Sequence, residues 1–159
     1  MSRPADDFER KRQLQLRSIG YCSIGAIGTL AVVAAYQVGA LVHLPDPSGK
    51  VFDSDRVVSS KESRVFGLPD ALLGITSYAT TLALAQAAAR RPDSRPLYEA
   101  VGLKVWIDFI ESVFKAAEQW PRHKALCSWC LGVTAASVGN LALFKASSWE
   151  RSTSNGLSN

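Results

Sequence analysis

A chain of 159 residues has room for one domain or one compact bundle of helices. Its 47% hydrophobic content fits soluble and membrane proteins alike, so the arrangement of residues has to decide the class. The formal charge is +4, but the Lys and Arg residues form no single patch with interleaved aromatics, which argues against nucleic acid as a partner. They flank three stretches that contain no Asp, Glu, Lys or Arg, residues 18–42, 71–89 and 125–144. A helix rising about 1.5 Å per residue needs roughly 18 to 20 such residues to cross a hydrocarbon core about 30 Å thick.

The N-terminal tail carries Arg3, Arg10, Lys11, Arg12 and Arg17 and reads as cytoplasmic. The first helix is expected over about 16–44. Its apolar run is longer than a signal peptide's and lacks a convincing cleavage pattern, so it reads as a retained anchor. Residues 45–67, rich in Pro, Ser, Asp and Gly, read as an outer loop with at most one short amphipathic turn. The second helix, about 68–89, opens with Pro69 in its first turn and Asp70 at the positive end of the helix dipole. It ends in the basic loop "RRPDSRP".

The third helix, about 97–119, carries Lys104, Asp108, Glu111, Lys115 and Glu118 at spacings of four and three. They make one charged stripe, opposite Leu103, Ile107, Ile110, Phe114 and Ala117. If this helix spans, the stripe must face the bundle interior, with Lys104 paired to Asp108 and Glu111 to Lys115. The fourth helix is expected over about 125–145, with a polar, disordered tail at 147–159. The reading is an all-α, integral membrane four-helix bundle, one membrane domain over residues 1–159.

Four crossings with the N-terminus inside put five tail cations, Arg90, Arg91, Arg95, Lys145 and Arg151 on the cytoplasmic side. Lys50, Arg56, Lys61, Arg64, Arg122 and Lys124 then fall outside. That bias favours cytoplasmic N- and C-termini, and it places Cys127 and Cys130 at the outer face.

Of three cysteines, Cys22 reads as a small apolar filler near the cytoplasmic end of the first helix. Cys127 and Cys130, in "LCSWCL", start the fourth helix. No metal site is expected, because His43 and His123 lack the spacing that would complete a four-ligand zinc set. Two cysteines three apart at a helix start share a face and are close enough to bridge. The orphan amides and the dipole lower the thiol pKa there, and an oxidising outer compartment favours disulfide chemistry. The pair either carries electrons between aqueous thiols and an acceptor dissolved in the membrane, or consists of two buried small residues without a redox role.

"LCSWCL", "FGLPDALLGITSY" and the loop "DRVVSSKESRVFGLP" together resemble the vitamin K epoxide reductase family and its bacterial relatives, over most of the chain. The resemblance implies a four-helix membrane oxidoreductase that couples disulfide formation to reduction of a quinone of the ubiquinone, menaquinone or vitamin K type. It implies that Cys130 is the sulfur nearest the quinone and Cys127 the one that exchanges with a reductant. Asp70 falls where the family often has an Asn that hydrogen-bonds a quinone oxygen, and Ser60 matches a Ser or Thr in the loop. Phe66 and Gly67 match the adjoining turn, and Thr134 stands where some relatives have a Tyr facing the quinone.

Asp108, close to the middle of the third helix, reads either as a proton donor to the reduced quinone or as a structural partner of Lys104. Tyr78 and Trp129 read as packing and interface residues. The departure is in the loop, where the family's relay cysteines correspond to Asp46 and Ser54. A serine hydroxyl takes no part in thiol exchange. Three readings therefore stand: a separate thioredoxin-like protein reduces the pair; the chain is a non-enzymatic membrane protein binding a quinone, a lipid or a partner; or Ser54 is an engineered substitution.

Overall fold

The computed structural model describes residues 4–65, 67–91 and 93–156. Four long helices, α1 (Pro4–Gln37), α3 (Asp70–Arg90), α4 (Arg95–His123) and α5 (Ser128–Gly156), form an all-α bundle, with a short α2 (Ser54–Val58) in the loop after α1. α1 packs against α3 and α5, and α4 closes the ring against the other faces of α5 and α3.

The helix ends differ from those read off the sequence. α1 starts at Pro4 rather than near residue 16, because Pro suits a first helical position and nothing in "ADDFERKRQLQ" breaks a helix. It ends at Gln37 rather than near 44. Gly39 takes φ +82°, its amide donates to Tyr36 O at 3.0 Å, and the Ala40 amide donates to Ala35 O at 2.8 Å. That reversal satisfies the last carbonyls and turns the chain out of the helix. α4 continues to His123, where Lys124 in the left-handed region stops it. The α5 backbone is helical to Gly156, where the polar composition after Ser147 suggested disorder; no Gly or Pro interrupts residues 141–155, and residues 157–159 lie outside the described residues.

The loop holds more structure than one turn. After α2, a 3-10 turn (Lys61–Ser63) leads into a two-residue antiparallel hairpin, β1 (Arg64–Val65) against β2 (Leu68–Pro69), with Gly67 at φ +81°. The loop is pinned to the start of α5, since Leu126 N donates to Val51 O at 2.8 Å and Asp53 N to Leu126 O at 3.1 Å. Beneath it Val33, Ala34, Leu44, Val57, Val58 and Ala71 form an apolar cluster that also encloses Cys127. At the other end of the bundle, Leu16 and Ile19 of α1 meet Ala85 and Ala88 of α3 and Val101 and Val105 of α4.

Residues 9–37 of α1, all of α3, and residues 128–146 of α5 are long and apolar enough to span a membrane. α4 is a further long helix with a buried carboxylate and an exposed apolar face. Asp108 is 3% exposed, while Leu103 and Phe114 on the opposite face are 66% and 62% exposed. A buried carboxylate opposite an exposed Leu and Phe suits a lipid surround better than water. The chain is a membrane protein.

Candidate functional site

The site begins where α5 does. The Cys127 carbonyl accepts the first helical bond, from Leu131 N at 3.0 Å, and its sulfur accepts the Cys130 amide at 3.1 Å. Cys127 thus occupies the N-cap, and its sulfur takes the place of the side-chain oxygen that usually satisfies an orphan amide. Its own amide donates to Gln119 Oε1 of α4 at 2.8 Å.

A carboxylate holds the loop against this helix start. Asp46 Oδ1 accepts Ser54 Oγ at 2.5 Å and Ser128 Oγ at 2.6 Å, and Oδ2 accepts Ser54 N at 2.7 Å. Ser128 N donates to Ser54 Oγ at 3.1 Å. Trp129, read from sequence as an interface residue, donates its indole N–H to Pro45 O at 3.0 Å and so ties the loop as well. Ser54 and Cys127 are both 0% exposed. The side-chain hydrogen bond with Cys130 lowers the Cys127 thiol below its ordinary value against the opposing effect of burial, with help from Ser54 and the Cys130 amide. Burial pushes the Asp46 carboxyl up, but the hydrogen bonds from Ser128 and Ser54 outweigh it and hold the group below its usual range.

Cys130 lines a cavity of about 180 Å³ between α1, α3, α4, α5 and the loop. Asp70, Ser60, Thr134 and Asp108 line it together with Cys130, so five of the seven candidates share one wall system. Cys127 lies one turn away, in the apolar cluster under the loop. Phe66 lies outside the described residues.

Thr134 donates to Cys130 O at 3.1 Å, and Ser60 to Val57 O at 2.8 Å. Asp108 accepts Ser77 Oγ at 2.8 Å and Thr81 Oγ1 at 2.5 Å and is paired with Lys104 as the spacing suggested. The Glu111 to Lys115 pair is loose at 3.9 Å, because Lys115 turns instead to Asp70 at 3.1 Å. The other oxygen of Asp70 accepts Gln37 Nε2 at 3.1 Å.

Gln37, Gln119, Ser77, Thr81 and the Asp70 partnership of Lys115 were not read from the sequence. Ser77 and Thr81 carried a signal, since 70, 74, 77 and 81 recur at helical spacing on one face of α3. Gln37 and Gln119 carried none, because each matters only through a residue distant in the chain. Of known proteins, no curated one matches the chain, whereas the model of the Vitamin K epoxide reductase family matches residues 17–144.

Proposed function

This chain belongs to the vitamin K epoxide reductase family, a family of membrane oxidoreductases, and on that premise we propose that it passes electrons from an external thiol protein to a quinone. One observation carries the reading. Two sulfurs three residues apart open onto different surroundings, Cys127 toward the loop and Cys130 toward the cavity.

With the pair as a disulfide, a thiolate of a thioredoxin-like partner attacks Cys127 and breaks its bond to Cys130, which leaves as a thiolate. The partner's second thiolate resolves the mixed disulfide, so the partner ends oxidised and the pair ends as a dithiol. Reforming the Cys127–Cys130 bond then releases two electrons and two protons, which convert the quinone substrate to its quinol. The cavity suits a ring with two carbonyls: Leu30, Val33, Val58 and Val133 are apolar walls, with polar groups at the Asp70–Lys115 pair and at Asp108. Cys130 is the sulfur beside the quinone, Ser60 and Thr134 polar rim groups, and Asp108, held by Ser77, Thr81 and Lys104, the proton donor that takes a proton released by the dithiol and passes it to the quinone. Both termini are cytoplasmic and the dithiol faces the outer compartment, which is oxidising.

The rival reading, a membrane quinone- or lipid-binding protein without turnover, draws on the full burial of Cys127 beneath a loop that offers Ser54 instead of a thiol. Alkylation with a mass-tagged maleimide in isolated membranes separates the two. A prereduced pair that oxidises only when quinone is added supports the enzyme; a pair that stays in one redox state with and without quinone overturns it.

A further inference from the structure

Asp70 stands where the resemblance leads one to expect an amide, and its chemistry is different. A carboxylate accepts hydrogen bonds and donates none, so it cannot hold a carbonyl oxygen. Both its oxygens are also engaged, one by Gln37 Nε2 and one by Lys115 Nζ, each at 3.1 Å. Gln37 has no donor to spare, since the same nitrogen lies 3.3 Å from Ser63 O and 3.4 Å from Val58 O.

Lys115 is differently placed. Its ammonium has three hydrogens, with Asp70 as a close partner and Glu111 as a loose one at 3.9 Å. The side chain is 45% exposed and lines the same cavity as Cys130.

We propose that Lys115 is the hydrogen-bond donor to a carbonyl oxygen of the quinone beside Cys130, and that Asp70 acts through it as a positioning residue. The inference rests on the quinone reading above and deepens it. Negative charge builds on that oxygen as electrons arrive from the dithiol, so an ammonium there is worth more during the transfer than before it. The Gln37–Asp70–Lys115 chain aims the ammonium, and the carboxylate balances its charge when the cavity is empty of substrate.

The test uses the full chain purified in detergent, with dithiothreitol as thiol donor and a short-chain ubiquinone analogue as acceptor. Lys115→Met is expected to lower quinone kcat/KM by about 30-fold or more. Its Cys127–Cys130 disulfide should still be reduced by dithiothreitol at the wild-type rate. Lys115→Gln, which keeps a hydrogen-bond donor on a stem one bond shorter, should stay within about fivefold of wild type. Adding Asp70→Asn to Lys115→Met should recover about tenfold, because the amide then supplies the missing donor.

A role in folding alone would move thermal stability and leave the quinone KM where it was. Lys115→Met matching an active wild type in kcat/KM overturns this inference alone, and so does a Lys115→Gln variant as impaired as Lys115→Met. A wild type that passes no electrons to the quinone overturns the underlying reading and this one together.

Discussion

The two sides of the dithiol are built from opposite materials. Around Cys127 the polar groups bond one another, with Asp46, Ser54, Ser128 and Gln119 knitting loop, α4 and α5 into a closed wall. Around Cys130 the wall opens onto a cavity in which the Lys115 ammonium keeps hydrogens for a ligand. The contrast follows from one turn of helix. A residue at the N-cap meets the chain arriving from outside the bundle, and a residue three further on points between the helices. Two identical thiols thereby acquire different surroundings, Cys127 fully buried under the loop and Cys130 half-buried beside the cavity.

The largest effect should come from Cys130→Ala. Quinone reduction should disappear, with helix content by circular dichroism unchanged; turnover in the purified variant would show that the open side is not where electrons leave. Next is Asp108→Asn, expected to lower quinone kcat by about 10²-fold with little change in KM. If kcat holds and only thermal stability drops, Asp108 is the structural partner of Lys104 and the open side has no proton donor there.

The closed side is tested by Ser54→Cys in a Cys130→Ala background. The new thiol should form a disulfide with Cys127 on mild oxidation, read as two alkylation sites lost together by mass spectrometry. Two thiols that stay free would mean the loop does not sit against α5.

A smaller effect is expected for Asp46→Asn, a loss of about 1–2 kcal/mol at neutral pH from weakened charge-assisted hydrogen bonds. The sign with pH follows from the lowered Asp46 value. Its contribution to stability is complete above the ordinary carboxyl value of 3.8 and disappears as pH falls through the lower folded value. The variant should therefore lose part of the acid limb in a thermal-unfolding series against pH, and an unchanged acid limb would remove Asp46 from the closed wall. The same variant should let maleimide reach Cys127 faster.

Much of this molecule was legible one segment at a time. Three charge-free runs of spanning length, a dithiol at a helix start and the pairing of Lys104 with Asp108 are local patterns, set by helix rise and periodicity. The ends of α1 and α5 were misplaced. Composition describes how a residue likes to be solvated, whereas a helix continues until a residue such as Gly39 can reverse the chain.

What only the tertiary structure decided is who meets whom. Asp70 finds Lys115 across 45 residues of chain, and Asp46 finds Ser128 across 82. The spacing along α4 alone assigned Lys115 to Glu111, since neighbours one turn apart are all a single helix can supply. Which cation faces which carboxylate between helices depends on the rotation of each about its axis, and that rotation is set by the packing of the whole bundle.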